Sequence, residues 1–231
     1  MSGRVGAILL AAGQGRRLGH DKSVTSIAGQ PVLSYGLRAL LACEEVEKVV
    51  VTVRGDVLEE AKGWVQKECG SEGARVEVIV GGVERQDSVG EGLKALGAGV
   101  EWVVVHDAAR VLLTQRLTER VLKEARKSGA AAAARKMSDT VREADGEGRI
   151  VKLIPREGLW RMETPQVVRV EVLRAGLERA KKEKRVVTDC LAMAELGGVK
   201  GVLVEAEEPN LKITVPSDWV LAEAWLKARG K

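Results

Sequence analysis

One stretch of the sequence, residues 11–22, combines small residues with several cations. The small residues are Ala11, Ala12, Gly13 and Gly15, and the cations are Arg16, Arg17 and Lys22. Because small side chains let the backbone approach a ligand closely, the N–H groups of this stretch can bind phosphate oxygens or the edge of a base. The cations suit a polyphosphate better than a neutral ligand. We therefore interpret the stretch as the binding loop for a nucleoside triphosphate; the alternative is a basic turn with tight glycines.

Two common glycine-rich loops do not fit this stretch. The dinucleotide-binding fingerprint requires a third Gly or Ala where Leu18 stands, and an acid after the second strand, which here ends in Val-Arg-Gly at residues 53–55. The phosphate-binding loop of NTPases requires Gly, Lys and Ser or Thr in succession, but two residues separate Gly19 from Lys22. A dinucleotide-dependent oxidoreductase and a P-loop NTPase are therefore disfavoured.

The elements that must carry the loop alternate between strands and helices. Continuous apolar runs, typical of buried parallel strands, occupy residues 7–10, 48–53, 76–80, 102–106 and 130–135. Helical patterns occupy residues 32–43, 57–68, 88–96 and 117–127. This alternation predicts an α/β fold with a doubly wound, mostly parallel, Rossmann-like sheet. Since ligands bind at the carboxyl ends of such strands, residues 11–22, 81–88 and 107–110 should open onto one crevice.

The alternation breaks after the fifth predicted strand. Residues 138–143 and 149–154 flank a glycine-rich turn at residues 145–148, which is typical of a β-hairpin. We predict that this hairpin belongs to a projecting arm, residues 135–159, that pairs with a second subunit; the alternative is an ordinary surface excursion. Helices over residues 170–183 and 189–196, a strand over residues 199–204 and a last helix from Ser217 complete a single predicted domain, residues 1–231.

The composition disfavours several classes of protein. The net charge is +4, from 37 basic and 33 acidic residues, and aromatic residues make up 3% with no Phe, so no nucleic-acid partner is expected. Three separate cysteines and two histidines do not match a zinc site, and reduced thiols fit a cytoplasmic protein. The apolar run over residues 5–12 is too short to span a membrane, so no membrane partner is expected.

Residues 10–18 with Lys22 resemble the signature loop of the sugar-phosphate nucleotidyltransferases, in which the lysine contacts the α-phosphate. Six further segments follow at residues 81–89, 105–110, 138–140, 158–166, 188–189 and 210–214. In this order, and over nearly the whole chain, the segments resemble the 2-C-methyl-D-erythritol 4-phosphate cytidylyltransferase family of the non-mevalonate isoprenoid pathway. Each segment alone is a weak signal, and the ordered set is specific.

The resemblance implies a role for each matching position. Cytosine would be read by Ala11, Ala12, Gly82 and Ser88, and the ribose and phosphates would be lined by Gly13, Gly15 and Ala108. Arg17, Lys22 and Lys212 would clamp the triphosphate and the transferring phosphorus. The erythritol would be held by Asp107, Arg110 and Thr140. The acceptor's phosphate would be reached by Arg156 and Thr164 from the neighbouring subunit's arm, with Thr188 nearby, because the family forms homodimers with interlocked arms.

The implied reaction is attack of an acceptor phosphate oxygen on the α-phosphorus of CTP, with loss of pyrophosphate. Its catalysis would depend on positioning and on cations rather than on a strong base. Mg²⁺ would be bound mainly by the phosphates, with no direct protein ligand. Two alternatives stay open, namely another polyol phosphate such as ribitol 5-phosphate as the acceptor, and a nucleotide-binding protein without activity.

Some positions depart from the family's usual pattern, and some of the implied residues have simpler explanations. The departures are Leu10, Asp21 and Val111 in place of Pro, Val83 in place of an acid, and Cys190 in place of Glu. The simpler explanations are a helix N-terminal acid for Asp107, a solvated lysine for Lys212 and a surface turn for Arg156. We expect His106 to be a strand-end histidine with satisfied hydrogen bonds rather than a catalyst.

Overall fold

Eleven strands and seven α-helices make up the part of the chain that the computed structural model describes, residues 3–13 and 24–230. The strands are β1 (Val5–Leu10), β2 (Ser26–Ile27), β3 (Gln30–Pro31), β4 (Val46–Val53), β5 (Val76–Val80), β6 (Trp102–Asp107), β7 (Ala130–Lys136), β8 (Val141–Ala144), β9 (Ile150–Ile154), β10 (Trp160–Arg169) and β11 (Val202–Glu205). The helices are α1 (Val32–Leu41), α2 (Leu58–Glu68), α3 (Arg85–Leu96), α4 (Gln115–Ser128), α5 (Val170–Lys182), α6 (Cys190–Leu196) and α7 (Pro216–Ala228).

Seven of the strands form one central sheet in the order β11-β7-β10-β6-β1-β4-β5. The pairs β11–β7, β6–β1, β1–β4 and β4–β5 are parallel. Only β10 among the described strands of this sheet runs against its neighbours, β6 and β7. The predicted doubly wound, mostly parallel sheet is therefore confirmed, and the predicted strands and helices are present with small shifts at their ends.

Helices cover both faces of the sheet, which explains why its strands are continuously apolar. On one face α1, α2 and α4 contribute buried side chains such as Leu37, Ala61 and Val121 to the core. On the other face α3, α5 and α6 contribute side chains such as Leu93 and Leu173. A strand with a helix layer on each side has no solvated face, so it needs apolar residues at successive positions.

Strand β10 is the strand of the central sheet that the sequence patterns did not predict. Its middle contains Glu163, Thr164 and Gln166, all buried, and its pairing with β7 shifts register between Met162 and Gln166. Polar residues and a proline interrupt the apolar run that marks a central strand. The segment over residues 158–166 begins at the end of the arm, and the structure shows that it continues into the sheet between β6 and β7.

The predicted hairpin is present as β8 and β9, which pair antiparallel with each other and form a separate two-stranded sheet. Its apolar side chains Ile150, Val151 and Leu153 are each more than half exposed in the single chain. The hairpin connects β7 to β10 and so leaves the central sheet at the edge where β7 ends. Among the described residues, no helix is both long enough and apolar enough to cross a lipid bilayer.

Candidate active site

The carboxyl ends of β1, β4 and β6 lie side by side in the sheet, and backbone hydrogen bonds hold the segments that follow them. The N–H of Ala11 donates to the carbonyl of Thr52 at 2.8 Å, and the N–H of Ala108 donates to the carbonyl of Leu10 at 2.9 Å. Ala11 and Ala108 are buried, whereas Gly13 is exposed. The loops after β1 and β6 therefore start at fixed positions on one edge of the sheet, which is the edge where the sequence predicts the crevice.

The segment after β5 packs so closely against the first loop and the start of α3 that side chains are excluded at two positions. A Cβ added to Gly81 would lie 2.6 Å from the Cβ of Ala12, and one added to Gly82 would overlap the side chain of Asp87. The hydroxyl of Ser88 is buried and accepts a hydrogen bond from the N–H of Gly82 at 3.1 Å. Ser88 thus stabilises the turn through a hydrogen bond between its side chain and the backbone. Contact of Gly82 and Ser88 with cytosine stays a prediction.

Asp107 ends β6 with its carboxylate between two cations. Oδ1 accepts a hydrogen bond from Nε of Arg85 at 3.3 Å, and Oδ2 accepts one from Nζ of Lys212 at 2.7 Å. Burial alone would raise the pKa of Asp107, but the charges of Arg85, Lys212 and Arg110 hold that pKa well below its usual range. Asp107 is therefore a carboxylate, which can only accept hydrogen bonds.

Lys212 reaches Asp107 because the residue that follows it is anchored. Ile213 is fully buried in a small cluster with Leu112, and its N–H donates to the carbonyl of Ala109 at 2.9 Å. The side chain of Lys212 itself remains 40% exposed. The structure thus brings together two residues that the sequence placed in the site, although about a hundred residues separate them.

Arg85 is the residue of this cluster to which the sequence analysis gave no role. It is the first residue of α3, and its guanidinium spans from Asp107 to Gln166 Oε1 at 3.5 Å and Cys190 Sγ at 3.6 Å. The same Gln166 oxygen also accepts the N–H of Cys190 at 2.8 Å. The sequence contained one indication for Arg85, namely its position in the segment over residues 81–88, which was predicted to face the ligand.

His106 is fully buried beside Asp107, and both of its ring nitrogens are hydrogen-bonded. Nε2 lies 3.1 Å from the carbonyl oxygen of Arg110, and Nδ1 lies 3.0 Å from the hydroxyl oxygen of Thr164. Because a carbonyl only accepts, Nε2 carries the proton, and Nδ1 then accepts from the Thr164 hydroxyl. Burial lowers the pKa of His106 to about 4, so the imidazole is neutral. The predicted strand-end histidine with satisfied hydrogen bonds is confirmed.

Thr164 and Arg110 are both held inside the subunit. The hydroxyl of Thr164 accepts the N–H of Asp107 at 3.1 Å in addition to its bond with His106. The guanidinium of Arg110 is buried and donates to the carbonyls of Asn210 at 2.7 Å and Met162 at 3.2 Å. These two side chains therefore brace the Asp107 loop against β10 and the segment before α7. Their predicted contacts with a substrate stay predictions.

Three further predicted residues lie on exposed parts of the chain. Thr140 and Arg156 belong to the arm, and Thr188 precedes α6. Arg156 donates a hydrogen bond to the carbonyl of Ser138, which ties the two ends of the arm together. No described contact connects these residues with Asp107 within one subunit. Gly15, Arg17 and Lys22 lie outside the described residues, so the predictions made for them also remain predictions.

The cluster around Asp107 is suited to an anionic ligand with hydroxyl groups. Arg85, Arg110 and Lys212 surround one carboxylate, so the charge of the four side chains is positive. In residues 3–13 and 24–230, no group of three or more His, Cys, Asp and Glu side chains is arranged to hold a metal ion. An arrangement of fixed cations beside a hydroxyl-accepting carboxylate can hold a phosphorylated polyol and stabilise negative charge that develops on phosphate.

Comparison with known proteins gives consistent matches over nearly the whole chain. The family model described as 2-C-methyl-D-erythritol 4-phosphate cytidylyltransferase matches residues 5–228. A Pelotomaculum thermopropionicum protein of that name is 37% identical over 228 residues, which cover 98% of this chain and 95% of that protein. The chloroplastic protein of that name from Oryza sativa subsp. japonica is 34% identical, with 95% of this chain and 73% of that protein covered. A crystal structure of 4-diphosphocytidyl-2C-methyl-D-erythritol synthase from Anaerococcus prevotii matches with a TM-score of 0.84 at 27% identity, over 96% of this chain and 98% of that one.

Proposed function

Because this chain belongs to the 2-C-methyl-D-erythritol 4-phosphate cytidylyltransferase family, we propose that it transfers the cytidylyl group of CTP to 2-C-methyl-D-erythritol 4-phosphate. The products are 4-diphosphocytidyl-2-C-methyl-D-erythritol and pyrophosphate, and the step belongs to non-mevalonate isoprenoid biosynthesis. Asp107 carries this proposal, because its carboxylate lies between Arg85 and Lys212 at the carboxyl end of β6. The carboxylate can accept hydrogen bonds from the hydroxyl groups of a polyol, and the ammonium of Lys212 beside it can bind a phosphate.

The reaction exchanges one bond to phosphorus for another. An oxygen of the acceptor's phosphate forms a bond to the α-phosphorus, while the bond from that phosphorus to the bridging oxygen breaks and pyrophosphate leaves with the electron pair. The attacking phosphate is already ionised, so no strong base is required. The barrier comes instead from bringing two polyanions together, and fixed cations lower it.

We assign the described residues to the acceptor side of the reaction. Asp107 accepts hydrogen bonds from the acceptor's hydroxyl groups, and Lys212 moves its ammonium from Asp107 to the phosphates. His106 and Thr164 fix the backbone of Asp107, and Arg110 fixes the loop that follows. Their positions support this assignment, because His106 and Thr164 are bonded to each other and to backbone groups of this loop, and Arg110 donates to two backbone carbonyls outside it.

The nucleotide side is assigned to the first loop and to the turn after β5. Arg17 and Lys22 bind the triphosphate, and the residues around Ala12 and Gly82 receive cytosine. The close approach of Ala12 to Gly81 supports this, because a base edge can then contact two backbones at once. Mg²⁺ is the expected cofactor and neutralises charge on the triphosphate. The phosphates would supply most of the metal's ligands.

We propose further that two copies pair through the arm and that Thr140 and Arg156 complete the acceptor site of the partner subunit. The exposed apolar side chains Ile150, Val151 and Leu153 support pairing, since exposed apolar clusters mark interaction surfaces. The variant Val151→Lys tests it by sedimentation, where we expect a monomer. A dimer of unchanged stability would exclude the arm as the interface.

The three free cysteines are compatible with the cytoplasm, where we place the enzyme.

Pyrophosphate release tests the proposed reaction. The protein is incubated with Mg²⁺, CTP and either 2-C-methyl-D-erythritol 4-phosphate or ribitol 5-phosphate, and release is expected with the first acceptor. Release with ribitol 5-phosphate alone would overturn the acceptor assignment.

Lys22→Ala should lower kcat about a hundredfold or more, as for loss of a transition-state charge contact. Lys62→Ala, which removes an exposed lysine paired with Glu59 on α2, is the matched control. A Lys22→Ala loss below about tenfold would show that another cation acts on the α-phosphate.

A further inference from the structure

Arg85 joins two parts of the site that the proposed function gives to different substrates. It begins α3 three residues after Gly82, on the nucleotide side. Its guanidinium lies against Asp107 Oδ1 at 3.3 Å, on the acceptor side. A shift in the position of the nucleotide turn can therefore move the carboxylate of Asp107 through the side chain of Arg85.

The two cations that share Asp107 differ in how firmly they are held. The side chain of Arg85 is 22% exposed, and its remaining nitrogens are occupied by Gln166 and Cys190. The side chain of Lys212 is 40% exposed, and its described hydrogen bond is the one to Asp107. A lysine on a flexible stem can follow a phosphate, whereas an arginine bonded at both ends of its planar group cannot.

We propose that Arg85 is a positioning residue that keeps Asp107 oriented toward the acceptor when Lys212 leaves it for the phosphates. The inference rests on the proposed function. Without Arg85, departure of Lys212 would leave a mostly buried carboxylate with the charge of Arg110, whose described hydrogen bonds go to backbone carbonyls, and with the neutral ring of His106. Such a carboxylate would rotate toward solvent or take up a proton, and it would lose the acceptor in either case.

The test compares Arg85→Gln and Arg85→Lys with the wild-type enzyme in steady-state assays of pyrophosphate release. We expect Arg85→Gln to lower kcat/KM for the acceptor about tenfold to a hundredfold, as for loss of a hydrogen bond to a charged group, while KM for CTP changes less than about threefold. Arg85→Lys keeps the charge and should recover part of the loss. Arg179→Gln, which breaks an exposed arginine–glutamate pair on α5, is the control and should leave both constants unchanged.

Two further readouts separate positioning from a merely structural role. In Arg85→Gln the acidic limb of the pH profile of kcat/KM for the acceptor should move to higher pH, because Asp107 has lost a cation. In an Asp107→Asn background, Arg85→Gln should have little additional effect, since the two act through one contact. CTP binding measured by calorimetry shows whether each variant is folded. If Arg85→Gln is not folded, the acceptor constants and the pH profile are measured on Arg85→Lys instead.

The outcomes also distinguish this inference from the function on which it rests. If the wild-type chain releases no pyrophosphate with 2-C-methyl-D-erythritol 4-phosphate, the proposed function fails. If the wild-type chain is active and Arg85→Gln has unchanged acceptor constants, only the role of Arg85 fails. An equal loss for CTP and acceptor, or full additivity with Asp107→Asn, also overturns it, because Arg85 would then act through the nucleotide turn.

Discussion

The buried imidazole of His106 should make the protein sensitive to mild acid. The ring is neutral, donates from Nε2 to the carbonyl of Arg110 and accepts at Nδ1 from the hydroxyl of Thr164. Protonation of Nδ1 would replace that accepted hydrogen bond with two facing donors in a site closed to water. Lowering the pH from 7 to 5 is the perturbation, and the free energy of unfolding is the quantity expected to fall.

The size of the effect follows from the two pKa values. Burial lowers the pKa of His106 from 6.5 to about 4 in the folded chain, where Asp107, Arg110 and Lys212 are the charged groups around it. The unfolded chain therefore binds the proton more readily, so the stabilisation is present above pH 6.5 and is lost as the pH falls toward 4. Linkage over this range gives a loss of about 2 kcal/mol between pH 7 and pH 5. The carboxylate of Asp107 adds little there, because its pKa stays below the range in both states.

Urea unfolding at the two pH values measures this loss. His106→Gln keeps an amide donor for the Arg110 carbonyl but does not titrate, so its stability should fall by about 2 kcal/mol less than that of the wild type over the same interval. His20→Gln removes the chain's other histidine and should leave the wild-type dependence intact. Equal pH dependence in wild type and His106→Gln would refute the reasoning, since the proton taken up on unfolding would then belong to another group.

Further predictions concern packing and the acceptor site. A Cβ at Gly176 would overlap the carbonyl oxygen of Met193, so Gly176→Ala should lower the free energy of unfolding by about 2 kcal/mol or more. Gly63 in α2 has open space around it, so Gly63→Ala should raise stability by about 0.5–1 kcal/mol in the same urea titration. Lys212→Ala should lower kcat about a hundredfold in the pyrophosphate assay, and a change below about tenfold would remove Lys212 from the reaction.

The sequence predicted the parallel part of the sheet because burial on both faces leaves an unambiguous pattern. Residues such as Val49, Val50 and Val51 are fully buried in succession in β4, and one polar residue, Thr52, lies between them and Val53. The pattern failed at β10, where Glu163 and Gln166 are buried as well. Their burial is tolerated because both side chains are hydrogen-bonded. Several of the partners lie far away in the sequence, and a single-sequence pattern does not contain them.

The same limit applies to the site. The sequence identified Asp107 and Lys212 through the resemblance, but not their 2.7 Å ion pair. It did not identify Arg85 as the second partner of Asp107, because an arginine at a helix start is compatible with a solvated surface. The contact of Thr164 with a substrate stays a prediction, and the sequence did not show that its hydroxyl is bonded to His106 and to the N–H of Asp107. These hydrogen bonds and ion pairs join residues that lie far apart in the sequence, so a pattern in the sequence does not reveal them.

The antiparallel direction of β10 explains why these contacts arise at all. In a parallel sheet the carboxyl ends of the strands share one edge, and loops at that edge bind ligands. A strand that runs the other way brings its amino end to this edge, and Gln166 lies opposite Val105 in the pairing with β6. The start of β10 therefore places Thr164 beside the end of β6, where it meets His106 and Asp107. The arm directly precedes β10, so the same reversal brings the arm to the ligand edge, where it can serve an acceptor site as well as a subunit interface.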